Sequence, residues 1–225
     1  VRSLRMSTTP IGQVFVIANG ENAHRMTSPF FETVLVSEVD CFPFLKADIA
    51  DALPESTHGH GGWYYQQLLK LYVFDGLEQC GHSPTEHILV IDSDVALVSE
   101  VAFLSKDDNS HIAKPILSHG YPFEWRLNTT EYGSVSEVTH IEATHASAVI
   151  PGWRPQSVFS GMHHHAVFSR RIIRALFGST RVADSPFWRV FLGAVDVTKW
   201  NGASEYMMYH HFARARFPDD VVCRH

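Results

Sequence analysis

Cysteine is scarce in this 225-residue chain: Cys41, Cys80 and Cys223 are scattered and odd in number. With no Cys-x-x-Cys pair, the spacing points to neither a disulfide framework nor a thiolate zinc site. Long apolar runs are missing as well. None approaches the ~20 residues of a membrane-spanning helix, so no transmembrane segment is expected. Basic charge is in short supply, with 18 Lys and Arg against 24 Asp and Glu and a net charge of −6. That balance gives no support for nucleic-acid binding, which calls for a basic patch. Repeats and low-complexity linkers are absent too. An apolar share of 45 % with 19 % charged residues suits a globular core and argues against disorder.

What is plentiful is histidine, 15 residues, a number that fits either a composition bias or a few ligands. The length suits one large α/β domain or two small ones, and with no linker we expect a single domain over residues 1–225. Gln13–Ala18 predicts a strand closed by Asn19-Gly20, and Thr33–Val39 a second. A helix is expected from Gly62 to Tyr72, with Tyr65, Leu68, Leu69 and Tyr72 as its apolar stripe and Trp63, Gln67 and Lys70 on another side. Residues 105–155 read as long loops with short strands. Three helices follow: Arg170–Phe177, Pro186–Leu192 behind a Ser185 cap, and Glu205–Arg216 capped by Ser204. Strands alternating with helices predict an α/β fold with a mainly parallel sheet. The opening Val1-Arg2-Ser3-Leu4-Arg5-Met6 resembles the end of a helix, and Val221-Val222-Cys223 the start of a strand. The chain therefore reads as truncated at both ends.

The most informative stretch is Ile88-Leu89-Val90-Ile91-Asp92-Ser93-Asp94-Val95-Ala96-Leu97-Val98, an apolar run broken by two carboxylates one residue apart. Two charges in a buried strand are costly unless neutralised. A hard divalent cation such as Mg²⁺ or Mn²⁺ would do this, and such ions usually carry phosphates. On a strand Asp92 and Asp94 face the same way, toward the carboxyl end where open α/β sheets bind ligands. The same string also resembles the nucleophile motif of haloacid-dehalogenase-type phosphatases, with Asp92 as the phosphorylated residue. A turn Asp beside a solvated one is the third reading.

Five blocks stand in order along the chain. They are Gly62-Trp63-Tyr64-Tyr65-Gln66-Gln67-Leu68-Leu69-Lys70-Leu71, Ile91-Asp92-Ser93-Asp94, Phe159-Ser160-Gly161-Met162-His163-His164-His165, Phe187-Trp188-Arg189-Val190-Phe191-Leu192 and Gly202-Ala203-Ser204-Glu205-Tyr206-Met207-Met208-Tyr209. The set spans about residues 60–212 and resembles GT-A-type glycosyltransferases of a group found in bacteria and in some viruses and microbial eukaryotes. The resemblance implies a Rossmann-like GT-A fold, a nucleoside-diphosphate-sugar donor, a glycan or glycolipid acceptor and a divalent metal, usually Mn²⁺. It also implies that a first strand and helix precede Val1.

On that resemblance Asp94 is the first metal ligand, and Asp92 contacts the ribose or reaches the metal through water. Gln67 and Lys70 are placed to meet the nucleotide. His164, then His163, is a donor- or acceptor-pocket residue; on a strand His163 and His165 would point one way and His164 the other. Glu205 follows a small-residue loop and opens a helix, where a carboxylate is favoured by the macrodipole. It looks like the base of an inverting enzyme, with Asp196 behind it. Tyr121, Phe123, Trp125 and Trp153 are candidates for sugar stacking. A non-catalytic glycan-binding domain is the non-enzymatic alternative. The compartment stays open: cytoplasm fits a bacterial or viral chain, a Golgi lumen a eukaryotic one, and the sequon Asn128-Thr129-Thr130 does not decide between them.

Overall fold

The computed structural model describes residues 2–19, 31–53, 60–107, 110–120, 135–180, 185–199 and 202–224. Tyr121, Phe123, Trp125, the sequon and Asn201 lie outside the described residues. In chain order the elements are a 3₁₀ turn at Arg2–Met6, β1 (Val14–Ala18), β2 (Thr33–Ser37), α1 (Lys46–Asp51), α2 (Gly61–Leu71) and α3 (Val73–Gln79). Then come β3 (His87–Ile91), β4 (Leu104–Asp107), β5 (Ser110–Ser118), α4 (Val135–Val149), β6 (His165–Ser169) and α5 (Arg170–Phe177). The chain closes with α6 (Phe187–Gly193), α7 (Glu205–Arg216), a 3₁₀ turn at Pro218–Asp220 and β7 (Val222–Arg224).

The class is mixed α/β, but the expected mainly parallel sheet is not what the described strands build. β1 pairs parallel with β2 and β5 with β7, whereas β3 pairs antiparallel with β6 and β4 antiparallel with its neighbour in sequence, β5. Among the described strands β5, nine residues long, takes a partner on each side, the other ladders join two strands, and β5 and β6 lie close outside any shared ladder. The longest element lies where loops were expected. α4 buries Glu142, His145, Ala146 and Val149, a helical face at i, i+3, i+4 and i+7 of which half is polar, so apolar periodicity could not reveal it.

Helices α2 and α7 cross in the core. α2 buries Tyr64, Tyr65, Gln67, Leu68 and Leu71, adding Tyr64 and Leu71 to the expected stripe and turning Gln67 inward. Pro186 caps α6, one place beyond the Ser185 that the sequence suggests. Buried side chains from Val36 to Val221 join in a single cluster, rich in aromatics such as Phe44, Tyr72, Phe187 and Phe191. α3 fits against this cluster because residue 76 is glycine: a Cβ there would lie 2.6 Å from the Phe42 ring.

Cysteine also departs from expectation. Cys41 and Cys80 form a disulfide, with Cα atoms 5.4 Å apart, while Cys223 is free. The bridge joins the turn after β2 to the end of α3, and only the packing of those elements brings together residues 39 apart in sequence. Among the described residues no helix is long and apolar enough to cross a membrane.

Candidate functional site

β3 ends at Ile91, one residue before the carboxylates. The run does not continue as a buried strand: Val98 is 91 % exposed, and residues 92–95 form a turn closed by the Val95 amide donating to the Asp92 carbonyl at 3.1 Å. Asp92 occupies the first position of that turn, which favours Asp, and Asp94 the third. Strand alternation therefore does not relate the two side chains. Asp92 is largely buried and Asp94 exposed, with no partner among the described residues.

The β3–β6 ladder pairs Ile91 with His165, so the next pair outward is Asp92 with His164. The Asp92 amide donates to the His164 carbonyl at 3.0 Å. Directly opposed residues share a face, and His164 Nδ1 lies 3.3 Å from Asp92 Oδ2. His163 and His165 point the other way, their rings 5.2 Å apart. Burial first, then His164, lowers the pKa of His163; burial, then His163, brings His165 down to about 4.

Asp92 Oδ1 receives the ammonium of Lys70 at 2.6 Å, and the same ammonium reaches Glu205 Oε1 at 2.8 Å. Three elements thus meet at one nitrogen: the end of β3, the last turn of α2 and the first turn of α7. Side-chain exposure is only 14 %, 11 % and 4 % for Asp92, Lys70 and Glu205. Burial works against the Lys70 charge, but Glu205 and Asp92 together outweigh it and raise its pKa. The Tyr206 ring lies beneath the ammonium at 4.5 Å, and its hydroxyl donates to Asp92 Oδ1 at 3.4 Å. Burial, followed by the Glu205 and Asp92 charges, raises the Tyr206 pKa, so the phenol stays a donor.

Gln67 is buried rather than turned to a ligand. Its Oε1 accepts from the Glu205 amide at 3.0 Å and its Nε2 donates to the Ala203 carbonyl at 3.4 Å, fixing the loop from which α7 starts. Ser204 caps α7 by accepting from the Met207 amide. Asp196 stands apart from the cluster, exposed and holding Thr198 through its amide and hydroxyl at 3.0 and 2.7 Å. Those two hydrogen bonds lower its pKa, which weakens it as a base. Trp153 is buried, donating to the Met208 carbonyl, and is not a stacking surface.

The structure thus gathers Asp92, Lys70, His164 and Glu205, leaves Asp94 open beside them, and sets Gln67 behind and Asp196 aside. Tyr206 completes the group; it stands next to Glu205 in sequence, but no spacing rule singles it out. Among the described residues no three His, Cys, Asp or Glu side chains are grouped to hold a metal by themselves. No curated protein and no solved structure matches the chain. Residues 5–224 match the model of a family of unknown function, DUF6492.

Proposed function

The chain belongs to the DUF6492 family over almost its whole length, and from its own residues we propose a metal-dependent glycosyltransferase with a GT-A-type site. It would move a sugar from a nucleoside diphosphate to a hydroxyl of a glycan or glycolipid, with inversion. One observation carries this reading: at the carboxyl end of β3, Asp92 and the distant Glu205 converge on one ammonium beside the open carboxylate of Asp94. Donor chemistry needs carboxylates for a cation, and acceptor chemistry needs one for a proton.

Asp94 and the outer oxygen of Asp92 suit a hard cation, which commonly takes one or two carboxylates and completes its shell with water and phosphate. Bound there, Mn²⁺ or Mg²⁺ would supply charge stabilisation of the departing diphosphate. Asp92 and His164 offer the ribose an acceptor and a donor at one edge, whereas His163 is turned to the opposite face beside His165. Glu205 acts as base through Oε2, since Lys70 holds Oε1; Oε2 takes no hydrogen bond among the described residues and is not a sealed atom. The acceptor hydroxyl gives its proton to Glu205 as its oxygen bonds to the sugar's anomeric carbon. The bond from that carbon to the diphosphate oxygen breaks with its electron pair.

A thermal-shift panel of nucleoside diphosphates with and without Mn²⁺, run on wild type and on Glu205→Gln, tests the proposal. Metal-dependent stabilisation by one nucleotide is expected in both proteins, with sugar transfer reduced roughly 100-fold or more in the variant. Full turnover by Glu205→Gln would sink the base assignment. No shift and no donor turnover in wild type would sink the transferase reading.

A further inference from the structure

The sequence places Lys70 to meet the nucleotide, but its surroundings argue for a different task. An ammonium has three N–H donors. Two of them reach carboxylates on different elements at 2.6 and 2.8 Å, and the Tyr206 ring occupies another side at 4.5 Å. The side chain is 11 % exposed. Charge decides the matter: one cation between Asp92 and Glu205 leaves a triad of net −1, and the open Asp94 adds another negative charge. Such a cluster repels a diphosphate unless a further cation intervenes, so Lys70 cannot serve as the donor's main counter-ion.

We propose that Lys70 is a positioning residue, acting on Asp92 and Glu205 rather than on the donor. It rests on the transferase reading for the reaction it serves, but the ion triad itself stands on geometry alone. α2 sets Glu205 twice, its backbone through Gln67 and its side chain through Lys70 one turn later. With Oε1 held, the carboxylate keeps one orientation and presents Oε2. With Oδ1 of Asp92 held by the same nitrogen, the donor end and the acceptor end of the site keep a fixed separation. Without Lys70 two nearly buried carboxylates would face each other with no cation between them, a strongly destabilising arrangement.

The test compares wild type, Lys70→Met, Lys70→Arg, Glu205→Gln and the double variant K70M/E205Q, each as the full chain. Positioning predicts that Lys70→Met lowers kcat roughly 100-fold while donor KM stays within about threefold. Lys70→Arg, which keeps the charge, should recover at least about tenfold of that loss. In urea at pH 7.5 the double variant should unfold at a higher midpoint than Lys70→Met, because removing the Glu205 charge relieves the pair left without a cation. A donor KM raised more than about tenfold with kcat unchanged would show that Lys70 grips the donor instead. A double variant no more stable than Lys70→Met would overturn the triad. Should wild type turn over no donor, the transferase reading falls while the urea comparison still decides the triad. If Lys70→Met does not fold, Lys70→Arg against wild type carries the kcat and KM comparison and Glu205→Gln the urea one. A Lys70→Arg protein with wild-type KM and at least a tenth of wild-type kcat supports positioning; a selective rise in its KM overturns it.

Discussion

Gly161 sits at φ +69°, and a Cβ built there would lie 2.3 Å from Cγ of His210. Two costs therefore add at this residue. An L side chain in the left-handed region loses about 1–2 kcal/mol, and forcing a methyl against a packed ring about 1–3 more. Gly161→Ala should destabilise the fold by about 2–5 kcal/mol, read as a lower urea midpoint with an unchanged slope. A loss of only about 1–2 kcal/mol would mean that His210 can move aside, and a variant within about 0.5 kcal/mol of wild type would refute the backbone cost as well. The consequence reaches the site, because Gly161 precedes the three histidines: its amide donates to the His119 carbonyl at 2.8 Å, tying the approach to β6 to the end of β5. His164 opposes Asp92 only while that register holds.

Among the elements, α7 carries most of the site's definition. Its first residue is Glu205 and its cap is Ser204, accepting from the Met207 amide at 3.2 Å. Ser204→Ala should cost about 0.5–2 kcal/mol, the usual range for a lost cap. Because the cap also fixes where Glu205 begins, the transferase reading proposed above expects sugar transfer to fall further than the stability change alone would explain. Chemical denaturation and turnover on the same preparation separate the two; an activity loss no larger than the unfolded fraction would refute the link. α7 was legible beforehand because Ser204, Glu205 and Pro218 punctuate it as local rules require. α5 was too, and α2 within a residue. β3 was found only in part: its apolar half was plain, but the turn at Asp92–Val95 ended it where continued hydrophobicity suggested otherwise. α4 was missed for a physical reason, since its buried face includes Glu142 and His145, whose burial depends on tertiary partners. The His145 Nε2–H, for example, donates to the Phe191 carbonyl at 2.9 Å.

At the scale of the whole molecule the same limit recurs. Nothing local announces that Cys41 and Cys80 will meet, or that Gln67 will face Glu205 rather than solvent; both follow from how α2 and α3 lie in the core. The abundance of histidine likewise gains meaning only with burial. His145, His210 and His211 are all 3 % exposed or less. Burial is the first cause in each case, and their pKa values fall to about 4, 3 and 4 from 6.5. For His210 the neighbouring His211, Arg214, His119 and His163 add to the effect; for His211 it is Arg214. The Gln156 amide also donates to His211 Nδ1 at 2.9 Å, a bond that protonation there would break. The sign follows directly. Above pH 6.5 neither state binds these protons and stability is full. Between 6.5 and about 4 the unfolded chain binds protons that the fold refuses at these three residues and at His165, so stability falls as pH falls, by at most about 5 kcal/mol per unit for the four. Over two units the loss is at most about 10 kcal/mol, enough to exhaust a domain in the lower half of the about 5–15 kcal/mol range. Urea midpoints measured at pH 7.5, 6.5, 5.5 and 4.5 should therefore drop steeply below 6.5, and His210→Asn should flatten the slope by about a quarter, since it removes one of the four protons. A flat profile from 7.5 to 5 would show that these imidazoles are solvated, and the packing of α7 against the 153–162 segment would have to be redrawn.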